Sequence, residues 1–409
     1  MLFYLKLAWR NILRNKRRTI ISGMAIAIGL AALIYVDALY KGMEINIIDN
    51  ITKSFISDGQ IHRKGFREKQ DVELTINKLD KVLNRLKKEK IVDKFSLRTY
   101  SFSMISSSNN VSSVMLVGVN PENEKHISQI DDAIVKGEYF KSKKGNEIII
   151  GKKLAEILEV QLGDRIVVTV AQAGSSELSQ ELFRVGGIYF FNNPQLDKGM
   201  AFIKISKARK MLNIGNGAHE IATKFKKGVN RKYIDRLGFW KRYSVDDNEA
   251  LSWMGLFPQM KMIFQMAGMA SSMVGFILFA VVALVIINSL FMSIYERMFE
   301  FGVLRAIGTR PKGVFKMIIL ESGALGVFSI IIGIILGFII TFIYSKVGID
   351  YTGIEMMGVT LKNLVYPVMT INQFIIYPVV VFFITLIIGI YPGIYAAKLK
   401  PAEALRKSL

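Results

Sequence analysis

Residues 266–294, MAGMASSMVGFILFAVVALVIINSLFMSI, contain no charged side chain, and residues 295–316, YERMFEFGVLRAIGTRPKGVFK, follow at once with charges of both signs. A hydrocarbon core ~30 Å thick needs ~20 apolar residues of helix, so 266–294 reads as a transmembrane span. The same signal recurs at 19–40, 314–344 and 372–396. The stretch 314–344 is long enough to tilt or to run past the bilayer. The reading is an α-helical membrane protein with four transmembrane helices and a large α/β extracytoplasmic domain, residues 41–265, inserted between helices 1 and 2. Composition agrees, with 51% hydrophobic residues and a mean hydropathy of +0.33. A net charge of +21 would suit nucleic acid on a soluble fold. Here many of the cations flank apolar blocks, which is how membrane proteins use them.

Orientation follows from those cations. Lys6, Arg10, Arg14, Lys16, Arg17 and Arg18 precede the first span without an acid. Arg297, Arg305, Arg310, Lys312 and Lys316 lie between the second and third, and Lys398, Lys400, Arg406 and Lys407 follow the fourth. The loop 345–371 carries Lys346 and Lys362 against Asp350 and Glu355. An amphipathic segment 1–18, the connection 295–313 and the tail 397–409 are therefore expected in the cytoplasm. The inserted domain is basic too, with 37 cations against 26 acids over 41–261. Long domains translocate largely regardless of charge, and the surplus suits an anionic surface or an acidic partner. The start of the chain has too many cations and too long an apolar run for a cleaved signal, so it reads as a retained anchor.

The inserted domain shows no sign of catalysis. The chain has no cysteine, which excludes disulfides, thiolate metal sites and cysteine nucleophiles. His62, His126 and His219 are far apart in sequence. His219-Glu220 starts like a zinc-protease motif, but Thr223 stands where the second histidine belongs. Asp131-Asp132 and Asp246-Asp247 read as solvated surface. No phosphate-binding loop occurs: Gly308 and Gly313 have the spacing, but Val314 replaces the required lysine. An amphipathic helix is expected over Ile76–Lys90, with strands at Val114–Val119, Glu147–Ile150, Ile166–Val170, Phe183–Ile188 and Ala201–Ile205. The polar run 171–180, AQAGSSELSQ, suits a hairpin connection, and Gly163-Asp164 and 215–218 mark turns.

Glu296–Ile307 is helix-like, with Met298, Phe299, Val303 and Ile307 near helical spacing. Gly308 is placed to end that helix and Pro311 discourages its continuation. Such a helix either docks a cytosolic partner or is an ordinary interfacial element. Met262, Met266, Met269 and Met273 share one helical face, which suits either packing or an adaptable lipid-facing surface for apolar cargo. Gly333 and Gly337 form a GxxxG pattern, for a dimer seam or internal packing. Glu321 is costly in hydrocarbon and calls for a cation, with Arg305 and Arg310 as candidates. Asp37 is near enough to the outer end of its span to reach interfacial water. Pro378 and Pro392 are potential kinks in the last span.

The segment NSLFMSIYERMFEFGVLRAIGTRP (288–311) with ILES (319–322) resembles the core of the FtsX/MacB superfamily of ABC-transporter permeases. LAWRNILRNKRRT (7–19) and YPGIYAAKLKPAEALR (391–406) look like its two terminal signatures. VGVNPE (117–122), VKGEYF (135–140), EIIIGKKLAEILEVQLGDRI (147–166) and FRVGGI (183–188) are similar to its periplasmic core domain. One departure is Phe301-Gly302, where many relatives read Ile-Gly. Length and layout look most like the lipoprotein-releasing (Lol) permeases. Residues 196–225 resemble the LolE side somewhat more than LolC, and 171–180 looks short for the carrier-capturing hairpin of LolC-type chains.

The resemblance implies that Glu296, Arg297, Glu300, Gly302, Val303, Leu304, Arg305, Ala306, Ile307 and Gly308 couple to a separate cytosolic ATPase subunit (LolD-like), which binds ATP and Mg. It implies that Glu321 supports that helix. It further implies a second permease subunit, identical or LolC/LolE-like, lipoprotein substrates and a periplasmic carrier (LolA-like), in the inner membrane. A MacB-like efflux permease and an FtsX-like transducer controlling a cell-wall hydrolase are the alternatives. The large insert argues against the second, and the few intramembrane charges argue against an ion-coupled transporter.

Overall fold

A computed structural model describes residues 16–53, 55–141, 145–175, 177–191, 193–351, 355–356, 359–360 and 364–398. Most of the expected cytoplasmic segment 1–18 and of the tail 397–409 lies outside the described residues. The chain divides into an outer unit, Asn46–Met262 with Gly353–Leu361, and a membrane unit made of Met1–Ile45, Ile263–Thr352 and Lys362–Leu409. Helix α1 runs over Lys16–Lys53, 38 residues. At 1.5 Å per residue that is about 57 Å, well beyond one hydrocarbon core.

The outer unit contains strand β1 (Gly59–Arg63), helix α2 (Leu79–Leu86), β2 (Val92–Ser106), β3 (Val111–Val119), helix α3 (Pro121–Glu124), β4 (Ile134–Gly137) and β5 (Glu147–Gly151). It continues with helix α4 (Lys152–Leu158), β6 (Arg165–Ala171), β7 (Leu178–Tyr189), β8 (Met200–Lys204), helix α5 (Ile205–Leu212), β9 (Glu220–Phe225) and β10 (Asn248–Ser252). The sheet order is β10-β1-β9-β2-β3-β8-β5-β7-β4, and β6 pairs with both β2 and β7. Strands β2, β3, β8, β5, β7 and β6 therefore close into a ring. Alternation puts Ile105, Val114, Ile148, Ile150, Ile166, Val168, Val170, Phe183 and Ile203 into one buried cluster, joined by Leu154 and Leu158 of α4 and Met211 and Leu212 of α5. A second cluster forms on other side chains of the sheet, with Phe55, Val117, Val119, Ile149, Tyr189 and Phe202.

The five sequence-read strands fall on β3, β5, β6, β7 and β8, except that Ile205 starts α5 rather than ending β8. The hairpin over 171–180 connects β6 and β7 in antiparallel register. The helix expected over 76–90 is shorter. Ile76 is buried and its N–H is taken by the Ala218 carbonyl, so helix α2 starts after Lys78.

The membrane unit completes α1 with α6 (Pro258–Glu296), α7 (Met298–Ala306), α8 (Pro311–Val347) and α9 (Gln373–Lys398). Four of the described helices, α1, α6, α8 and α9, are long and apolar enough to cross a membrane. The chain is thus a multi-pass membrane protein with a large periplasmic-type domain between its first two spans. Ile26, Leu30 and Ile34 of α1 pack with Val282, Ile286 and Leu290 of α6, Leu325 of α8 and Val381 of α9. The GxxxG pair is used inside the chain. A Cβ on Gly333 would come within 3.0 Å of the Ala27 carbonyl oxygen, and one on Gly337 within 3.0 Å of the Ile34 side chain. Those two glycines let α8 lie close against α1. Pro378 and Pro392 both sit inside the unbroken helix α9.

Candidate functional site

Helix α6 ends at Glu296, and Arg297 leaves helical geometry with φ −112° and ψ 16°. The sequence suggested one helix from Glu296 to Ile307; the structure starts it at Met298. Its far end follows expectation. Gly308 adopts φ +101°, its N–H bonds to the Arg305 carbonyl, and the Thr309 N–H bonds to the Leu304 carbonyl. That is a Schellman stop, and Pro311 then occupies the first turn of α8.

One side of α7 is anchored. Phe301 and Gly302 are buried, and Phe301 packs with Ile294, Val314, Met317, Ile318 and Ala396, with Leu304 alongside. The other side carries exposed Phe299 and Ile307, 51% and 79% exposed, with Val303 half-buried between them and Ala306 exposed beside them. These side chains form an exposed apolar stripe along a short helix.

The break at Arg297 is held by buried charge. Arg297, 5% exposed, donates from Nη1 to Glu321 Oε2 at 2.7 Å and from Nε to Glu300 Oε2 at 2.9 Å. Ser293 Oγ donates to the other Glu321 oxygen at 3.0 Å, and the Arg297 guanidinium lies 5.0 Å over the Phe301 ring. The expectation that Arg305 or Arg310 would pair with Glu321 is corrected: the partner is Arg297. Arg297 sits at the break between α6 and α7, and its side chain reaches Glu321 of α8. Arg305 instead donates from Nη1 to the Thr309 carbonyl at 3.2 Å and braces the turn after α7. Arg310 and Gly308 are exposed.

At the other end of the spans Asp37 is engaged within the unit. Lys41 Nζ and Gln373 Nε2 each approach its Oδ2 at 2.7 Å, and Lys41 also donates to Thr370 Oγ1 at 3.2 Å. Asp37 thus forms an ion pair within α1 and accepts a hydrogen bond from Gln373 at the start of α9. Beside it lies a cavity of about 430 Å³ between α1 and α6. Leu33, Val36, Phe276 and Phe279 form apolar walls, Gly268, Ser271, Ser272 and Gly275 keep the α6 side shallow, and Asp37, Tyr40 and Tyr377 add polar groups. Met262, Met266, Met269 and Met273 do not line this cavity. They are 63–73% exposed on α6.

In the outer unit the His219-Glu220 dipeptide is structural. Glu220 is bonded by Arg98 at 2.7 Å and by the Tyr100 hydroxyl at 3.0 Å. Burial works against its charge, but Arg98 and His62 outweigh that and hold the carboxyl below its ordinary range. His219 Nδ1 accepts from the Tyr100 N–H at 2.9 Å, which fixes a neutral ring whose Nε2 donates to the Val72 carbonyl at 2.8 Å. Burial accordingly lowers its pKa. Below about pH 6.5 an unfolded chain takes up a proton that the folded ring resists. Stability is then lost as the pH falls through the folded value. His219→Gln keeps both hydrogen bonds without titrating, so its melting temperature in detergent should fall less between pH 7 and pH 5 than that of the parent chain. Equal slopes would remove His219 from the account.

The outward side chains of the ring make a second surface. Phe102 and Met104 of β2, Val111 of β3, and Leu178 and Leu182 of β7 are 47–66% exposed. Register makes them neighbours: Met104 faces Thr169, Val167 faces Leu182, and Ala171 faces Leu178. At the edge of this band Arg165 and Arg184 face each other directly, both exposed. Like charges placed opposite are destabilising unless something outside neutralises them.

Among the sequence-read residues, the structure brings together Arg297, Glu300, Gly302, Leu304 and Glu321. It leaves the methionine stripe and Ile307 outward. Sequence reasoning missed Ser293 and the Arg165–Arg184 pair, because cross-strand register is invisible before the ring is known.

Comparison with known proteins followed the same outline. The MacB-like periplasmic core domain profile matches residues 19–236, and the FtsX-like permease C-terminal profile matches residues 272–401. The lipoprotein-releasing system transmembrane protein LolC of Xylella fastidiosa is 21% identical over 320 residues, covering 71% of this chain and 72% of its own. The corresponding LolE of Haemophilus influenzae is 21% identical over 399 residues, covering 94% and 93%. The crystal structure of the periplasmic region of MacB from Actinobacillus actinomycetemcomitans superposes with a TM-score of 0.35 at 14% identity, over 51% of this chain and 94% of that one.

Proposed function

The chain belongs to the FtsX/MacB superfamily of ABC-transporter permeases, and from that premise we propose that it extracts lipoproteins from the outer leaflet of the inner membrane and passes them to a periplasmic carrier. As a permease subunit it works with a cytosolic ABC ATPase and a second permease subunit. The observation that carries the cargo reading is the cavity between α1 and α6. Its walls are apolar, its α6 side is shallow, and its polar groups suit a guest that is part chain and part head group. The methionine stripe on the same helix is an adaptable surface along which such a guest could approach. Relatives named as lipoprotein-releasing proteins support the cargo class. The LolE-type character rests on residues 196–225, since both relative types match at the same 21%.

The mechanism is mechanotransmission. The ATPase engages the Phe299–Ile307 stripe of α7, and the Arg297–Glu321 clamp carries the push from α7 into α6 and α8. The outer unit delivers the cargo, with the apolar band and the arginine pair as the carrier's landing surface. A photo-crosslinker at Ser272 or Met269 should capture lipidated substrate and leave the unlipidated protein uncaptured. Equal capture of both forms would defeat the cargo assignment.

A further inference from the structure

A cavity of about 330 Å³ opens in the outer unit, and neither the coupling helix nor the carrier surface uses it. That is near the small end of the ~300–1,000 Å³ usual for ligand pockets, so it suits one slender guest rather than a two-tailed lipid. Strand register and ring stacking build its walls. Strands β3 and β8 run parallel with Met115 directly opposite Met200, and both side chains are half-buried at the cavity. Phe66 is held by stacking on the His219 ring, with centroids 5.0 Å apart, and lies 6.2 Å from the Tyr100 ring. Phe55, Leu256 and Phe257 add apolar wall, and Phe257 is exposed.

Glu220, His62 and Gln60 also border the cavity, but they are only 3%, 1% and 8% exposed. Arg98, at 2.7 Å, and the Tyr100 hydroxyl, at 3.0 Å, occupy the Glu220 oxygens. An entering molecule therefore meets mainly carbon and sulfur. Open charge is found at the rim instead. Arg67, the second residue of the short helix Phe66–Lys69, is exposed and lines the cavity, with exposed Gln70 nearby. One of its five N–H donors goes to the Leu256 carbonyl at 2.8 Å, and no carboxylate pairs with it among the described residues.

We propose that this cavity binds a medium-chain fatty carboxylate, with the alkyl tail against the methionine and phenylalanine walls and the carboxylate on Arg67 at the rim. Methionines adapt to a flexible chain, and a guanidinium offers a carboxylate charge-assisted hydrogen bonds. An alkylammonium would bring like charge to Arg67, and an alcohol would fill the walls without answering that charge. The site stands apart from the cargo reading, and its test needs neither ATP nor lipoprotein.

Four probes with a terminal trifluoromethyl group decide it: the octanoate, the hexanoate, octan-1-ol and octylammonium. Each is titrated into the full chain in phosphatidylcholine nanodiscs and followed by fluorine NMR, with empty nanodiscs to subtract partition into lipid. Saturable binding of the octanoate is expected, with the alcohol and the ammonium each at least tenfold weaker. Two methylenes fewer should weaken the hexanoate by about tenfold. Arg67→Gln should bring the octanoate down to the level of the alcohol, and Met200→Trp should fill the cavity and abolish binding. Location is checked without those variants. An octanoate with a diazirine in its chain should label peptides that carry Met115, Met200 or Phe257, and plain octanoate should suppress that labelling. No saturable octanoate binding above empty nanodiscs, alcohol or ammonium or hexanoate binding as tightly, unchanged affinity in either folded variant, or adducts placed elsewhere would each overturn the site.

Discussion

Arg297→Ala should destabilise the membrane unit by about 3–5 kcal/mol, because it removes the guanidinium that pairs with the buried Glu321 carboxylate. The loss is read as a shift in the detergent-solubilised unfolding midpoint. Glu321→Ala should cost somewhat less, since Arg297 retains Glu300 at 2.9 Å. The informative variant is the double replacement Arg297→Met with Glu321→Leu. Swapping a buried ion pair for apolar groups of similar volume is often neutral, so most of the stability should return. On the proposed mechanism ATP-driven release should not return, because there the pair holds the break between α6 and α7 that passes the motion on. A double variant that releases cargo at the parent rate would reduce the clamp to packing.

Arg165→Glu with Arg184→Glu should weaken carrier binding by at least tenfold while leaving the unfolding midpoint close to that of the parent chain. The two arginines face each other across β6 and β7 at the edge of an exposed apolar band. Each reversal replaces attraction for an acidic partner by repulsion, and such changes at exposed sites act mainly on association rate and salt dependence. The parent's association rate should therefore fall as salt rises, and the variant's should not. Carrier transfer unaffected by the double reversal would show that the partner lands elsewhere.

The features legible in the sequence are those set by local chemistry. An uncharged run such as 266–294 has one economical place to go, and the cations beside it fix its sense. The stop at Gly308 was readable because a left-handed residue followed by proline ends a helix by backbone sterics. The start of α7 was not, because the apolar spacing runs smoothly through Arg297 and nothing local announces the break there. For the same reason Glu321's partner was sought among Arg305 and Arg310. Strand β2 was missed since VDKFSLRTYSFSMIS mixes serine, threonine and charge. Arg98 and Ser101 are buried there by pairing with distant strands, and Arg98 is tolerable only beside Glu124 and Glu220. Ring closure through β6 likewise depends on register between segments far apart in sequence. The GxxxG pair was visible as a pattern, but its partner face on α1 was not.

A titration of the purified chain with its ATPase subunit tests the route of force most directly. Phe299 and Ile307 are exposed without the partner, and burying two such side chains is worth about 3–6 kcal/mol. Phe299→Asp with Ile307→Asp should therefore weaken ATPase binding by about a hundredfold or more, at roughly 1.4 kcal/mol per tenfold, with the unfolding midpoint unchanged. ATPase binding at the parent's affinity by a folded double variant would contradict the claim that the pump grips this chain through α7.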